Sequence, residues 1–251
     1  MPWTESASSS FVCRHSSSRD EDAARVLALL ERTRERLGEL LPTVAHEPAI
    51  VLHDSPHALV ASNPLMPAVW AVAARPVRRY VTGWQGPREL HVLSGQALRE
   101  RASSVAGSYE MLALSPASLY AKHVIASSNR ELHEAGLGSR VWNGLRWAWL
   151  LDGAARWLSG ESGYGASVVG GYLRGGHRPR FPPGPRDSPL LAPSLIEQLV
   201  ERQGERALAN LVSRLHSGGR DVALTGAFAG QALGTIEAEW RSRLRQLADG
   251  G

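Results

Sequence analysis

Between Trp147 and Ala155 the run WAWLLDGAA carries one charged side chain, Asp152, and apart from its indoles no other hydrogen-bonding one. A helix that is apolar on all sides belongs inside a protein, so the rest of the chain has to be built around it. The carboxylate it takes inside must meet a positive group or strong donors, because an ionised acid is costly to bury alone. The candidates in the sequence are a metal ion, a histidine such as His123, or an arginine such as Arg156 at i+4 or Arg146. Which of them meets Asp152 decides what chemistry the region supports.

A chain of 251 residues with 43% hydrophobic and 21% charged residues has the composition of a globular protein of one large or two small domains. No run of 18 apolar residues occurs, so a membrane-spanning helix and a membrane partner are not expected. The start, MPWTESASSSFVCRHSSSRD, lacks a basic stretch followed by an apolar one, and a cytoplasmic location is therefore expected. Cys13 is the only cysteine, which excludes an internal disulfide or a cysteine-rich metal knot. The net charge is +4, but all basic residues except Lys122 are arginines, and they alternate with acids in ERTRERLGE and EAEWRSRLRQ. That is the pattern of solvated helix faces, and no nucleic-acid partner is expected.

Periodicity predicts an α+β chain. Residues 1–10 read as a disordered lead. An α/β part over 11–114 follows, with a strand at Phe11–His15, an amphipathic helix over Asp20–Leu41 and a buried strand at Ala49–His53. Val77–Thr82 and Glu89–Leu93 flank the turn WQGP and read as a hairpin. A helical part spans 115–248. Its first helix starts at Ser115–Pro116 and runs to about Leu132; the second covers Val141–Leu158. The segment 160–193 is rich in Gly and Pro, with a short helix around Ala166–Leu173. Helices at 194–203, 205–216, 220–228 and 234–247 close the chain, the first opened by a capping box of Ser194 and Glu197.

WLLDGAARWLSGE resembles the WLxEGLAxYxSG segment of the peptidase-MA-like (gluzincin) metallopeptidases. FVCRH, AIVLHDS and the tail from SLIEQLVERQGE to EAEWRSRL are similar to that family's opening and closing elements, in the same order. The resemblance implies a zincin-like fold, with a small N-terminal mixed sheet and helix followed by a helical half. It also implies a zinc site: two histidines of an HExxH helix, a general-base glutamate between them, and an acid on the next helix. The acid falls on Asp152, one methylene shorter than glutamate. The first histidine falls on His123, but the glutamate falls on Val124 and the second histidine on Ser127, so the motif reads HVIAS. Valine is no base and serine is a poor neutral zinc ligand. The expectation is a catalytically inactive relative with no cofactor, which keeps a cleft for a peptide or protein.

Two alternatives stay open. His133, followed by Glu134, could fold back toward His123 and Asp152 and make a noncanonical zinc site, giving an active metal-dependent hydrolase. Tyr164 and Tyr172 lie where the family carries an aromatic hydroxyl that supports the tetrahedral intermediate. A basic nucleic-acid-binding protein is the other. A nucleophilic Ser127 with His123 and Asp152 lacks any oxyanion loop. The four tryptophans of 142–157 read as core or as groove lining, and His46, His53, His57, His91, His177 and His216 as structural.

Overall fold

In the computed structural model, which describes residues 3–42, 44, 46–63, 75–86, 88–133 and 136–250 apart from the side chains of residues 130, 133, 137 and 140, five strands make one mixed sheet. They are β1 Trp3–Ala7, β2 Val12–Ser16, β3 Ala49–His53, β4 Gly83–Gln85 and β5 Glu89–Leu93, in the order β1-β2-β3-β5-β4. The three central strands run parallel, and both outer ones are antiparallel to their neighbours. In the central register Ile50 pairs with Leu90 and Leu52 with Val92, so these side chains share one face with Cys13. Helix α1, Asp20–Gly38, closes that face with Leu27, Leu30 and Leu37, and acids crowd its first turn, where they suit the helix dipole.

Short helices α2 (Pro56–Ala61), α3 (Gly95–Arg101) and α4 (Ser108–Ala113) follow strands or lead into α5, Ser115–Ser128. Helix α5 lies on α1 and against β4 and β5, and Tyr120 meets Phe11 edge to face at 5.1 Å. After α6 (Arg130–His133) and α7 (Leu137–Arg146) comes α8, Ala148–Leu158, the apolar run with Asp152. Helices α9 (Ala166–Arg174), α10 (Ser188–Gln203), α11 (Glu205–Val212), α12 (Arg220–Ala227) and α13 (Leu233–Asp249) complete the chain. Helix α8 packs on α5 along one side and on α10 along the other, and nine of its eleven residues are buried. None of the described helices is long and apolar enough to cross a membrane.

Several boundaries differ from the sequence expectation, each for a local reason. The N-terminal lead forms β1, because Ser6 Oγ pairs with His15 Nε2 at 2.8 Å and Glu31 takes hydrogen bonds from Ser8 and Ser10 just beyond the strand. Val77–Tyr80 is a 3-10 turn rather than the first hairpin strand; its carbonyls accept from Arg101 and Arg156 instead of from a ladder. The apolar helix expected over 141–158 breaks at Trp147, where α7 and α8 part. Asn129 ends α5, donating to Val212 O at 3.1 Å and accepting from Leu132 N at the start of α6.

The capping box at Ser194 does not form, because α10 starts six residues earlier, at Ser188, and carries Pro193 inside. Ser194 Oγ instead donates to Leu191 O and accepts from Trp240 Nε1 at 2.9 Å, tying α10 to α13.

Candidate functional site

A helix turns by about 100° per residue, so neighbouring positions on α5 face different partners. Leu119 and His123 face β4: a Cβ on Gly83 would strike Leu119 Cδ1, and His123 Nδ1 lies 3.4 Å from Gln85 Nε2. Tyr120 and Val124 face α1 and line a cavity of about 130 Å³ with Arg34, Leu37, Pro42 and Glu47. Tyr120 donates to Glu47 Oε2 at 2.8 Å, and Glu47 also holds Arg34. The third flank, with Ser118 and Lys122, faces α8.

Asp152 comes from α8 to meet that third flank. Lys122 Nζ donates to its Oδ1 at 2.6 Å, and Ser188 Oγ, from the first turn of α10, donates to its Oδ2 at 2.6 Å. Burial opposes ionisation of Asp152, but Lys122, Ser188 and Arg156 outweigh it and hold the carboxyl below the usual range. The cation that meets the buried acid is therefore the single lysine of the chain. One turn along α8, Arg156 binds Glu161 and donates to Tyr80 O at 2.7 Å. Glu161 is 1% exposed, and its Oε2 has no hydrogen-bond partner among the described residues. Burial pushes its pKa up to about 7, against the pull of Arg156 and Ser118.

The expected site residues thus separate. His123 is buried beside Gln85, and burial lowers its pKa, with Glu47 opposing. Val124 is on the α1 flank, and Ser127, half-buried, is one turn beyond His123. Only Asp152 occupies the helix-to-helix contact that the HVIAS reading assigned to all of them. Tyr164 sits in a 3-10 turn, Glu161–Tyr164, with half of its surface exposed. Tyr172 is buried and donates to Asp187 Oδ1 at 2.6 Å, and burial and that carboxylate raise its phenol pKa. Glu134 and the side chain of His133 lie outside the described residues.

Trp147 and Trp149 are core, Trp157 packs under Arg36, and Trp142 is exposed. The other histidines include one pair read only as structural: His53 Nε2 and His91 Nδ1 are 2.9 Å apart, and His91 stacks on Trp84 and reaches Glu89.

Sequence reasoning missed Lys122, Ser188, Ser118 and Glu161. The signal was present, since a lone lysine among 27 arginines is unusual and it directly precedes His123. Ser188 gave none, being a serine in a proline-rich segment. Among the described residues no group of three or more His, Cys, Asp or Glu is placed to hold a metal. The groups around Asp152 do not fit a zinc ion: one oxygen is taken by an ammonium and the other by a hydroxyl. What the arrangement offers is an ammonium whose side chain is 38% exposed and which gives one of its three donors to Asp152.

No family model, no curated protein and no solved structure matches the chain.

Proposed function

We propose that the chain is a noncatalytic protein of zincin-like build that binds extended peptide segments. The observation that carries this reading is the Lys122–Asp152–Ser188 contact. It lies between the two helices that the gluzincin resemblance assigns to the zinc ligands, and an ammonium stands where that family would place its metal. In that register Ser118 and Lys122 hold the i and i+4 places of the histidines, five residues before His123 and Ser127 of the HVIAS reading.

Peptide binding draws support from the sheet edge. Among the described residues β4 has β5 on one side and no strand on the other, next to Gln85 and His123. An extended segment added there would gain main-chain hydrogen bonds. No nucleic-acid partner is proposed, because arginines such as Arg14, Arg19, Arg34 and Arg243 are each engaged by acids.

The test joins metal analysis of the purified chain with hydrolysis of casein, with and without phenanthroline. Zinc well below one per chain and no chelator-sensitive cleavage are expected. Stoichiometric zinc lost on Asp152→Ala, with cleavage that phenanthroline stops, overturns the noncatalytic reading. For binding, casein-derived peptides should slow amide exchange over 83–85; unchanged exchange there overturns the groove.

A further inference from the structure

A cavity away from Asp152 lies between α7 and the start of α12. It encloses about 470 Å³ and is lined by Trp142, Leu145 and Arg146 of α7 and by Gly219, Arg220 and Asp221 at the start of α12. The apolar side chains around it are left in water. Trp142 is 65% exposed, Val141 50% and Leu145 42%, and Val222 on α12 is 48% exposed. Two of these exposed apolar residues, Trp142 and Leu145, line the cleft, and Val141 and Val222 stand on the two helices that form it. Isolated exposed apolar residues are ordinary, but a contiguous group beside a concavity marks an interaction surface.

Charge narrows the occupant. Arg220 is met by Asp221 at 3.3 Å, whereas Arg146 has no hydrogen bond or ion pair among the described residues. Its guanidinium lies over the backbone at the mouth of α12: a Cβ at Gly219 would come within 3.0 Å of Arg146 Nη2. The cleft thus combines an indole and a leucine with a guanidinium, Arg146, that meets no acid among the described residues.

We infer that this cleft docks an amphipathic segment of a partner protein that brings an apolar side chain to Trp142 and Leu145 and a carboxylate to Arg146. A second copy of this chain is the competing occupant, and it would show as self-association. A bilayer fits less well, because the indole and the leucine line a concave wall. The surface is separate from the β4 edge, so the inference stands independently of the proposed peptide groove.

The experiment uses the full chain and a synthetic amphipathic peptide, DELLDELLDELL, with KRLLKRLLKRLL and phosphatidylglycerol vesicles as comparisons. Calorimetric titration should give binding of the acidic peptide that weakens with salt and falls about tenfold in both Trp142→Ala and Arg146→Glu. Arg146→Glu should shift preference toward the basic peptide. Because both side chains are exposed, unchanged circular dichroism is expected for each variant. Equal binding by the variants, Trp142-dependent binding to vesicles in place of the peptide, or self-association that Trp142→Ala abolishes would each overturn the inference.

Discussion

At the residue scale the chain is defined by where its charges go when they are buried. Asp152 keeps 17% of its side-chain surface and Lys122 38%, so their attraction is only partly screened by water. Lys122→Met leaves the carboxylate with Ser188 alone and should cost roughly 1–3 kcal/mol, read as a shift in the urea midpoint. The double variant with Asp152→Leu should recover part of that loss, since a matched apolar pair needs no counter-ion. A double-mutant cycle showing no coupling would count against the contact. Because the folded pKa of Asp152 is depressed, its contribution is present above the ordinary carboxylate range and is lost as pH falls through the folded value.

Two further groups pull in opposite directions. Glu161 has its folded pKa raised from 4.5 to about 7, so the folded chain holds a proton that the unfolded chain releases, and stability falls as pH rises across that interval. His53 is lowered from 6.5 to about 4, by burial first and then by the charge of His91, so its contribution is lost as pH falls through that interval. The two trends oppose each other where the intervals overlap. Denaturation followed across pH should therefore be flatter in the wild-type chain than in Glu161→Gln, which exposes the histidine trend alone. A Glu161→Gln profile parallel to wild type would remove Glu161 from the account.

At the scale of elements, packing distances decide what a substitution does. On α8, a Cβ at Gly153 would approach Ala192 O to 2.9 Å and Ile196 Cγ1 to 2.8 Å, so α8 and α10 touch through this glycine. In the exposed helix α7 a Cβ at Gly144 would meet nothing within 4 Å. The same substitution should then have opposite signs. Gly144→Ala gains up to about 1 kcal/mol from helix propensity. Gly153→Ala gains as much but forces a backbone apart, for a net loss of about 1–2 kcal/mol. Melting temperatures of the two variants, one up and one down, check this.

Element type was readable wherever periodicity was strong, as in Asp20–Gly38, Ala49–His53 and the closing helices. Ends were misread where a tertiary partner replaced a local signal. Ser194 looks like a cap in sequence, but its hydroxyl belongs to Trp240; Tyr80 looks like strand, but its carbonyl belongs to Arg156. The candidate site was half legible for the same reason. That Asp152 must meet a positive group or strong donors followed from its apolar neighbours. Which cation depended on a rotation of α5 by one residue, and that is fixed by Tyr120 locking into Glu47 and Phe11.

For the molecule as a whole, those same contacts decide whether the chain is one unit or two. A division at 114 and 115 falls between α4 and α5, but α5 covers the sheet and α1 while its Lys122 flank grips α8. Arg156 on α8 reaches back to Tyr80 O before the sheet edge, and Asp152 reaches forward to Ser188 on α10. A helix shared in this way gives each half contacts that it cannot replace alone, so unfolding either exposes the apolar surface of the other. Residues 1–114 without α5 should accordingly stay unfolded, because the sheet face with Ile50 and Leu90 loses its cover. The full chain should melt in one calorimetric transition whose measured enthalpy equals the van't Hoff value. Two resolved transitions, or a folded 1–114 fragment with dispersed amide resonances, would mean that α5 belongs to the helical half alone. In that case the Lys122–Asp152 contact would lie within one unit rather than joining two.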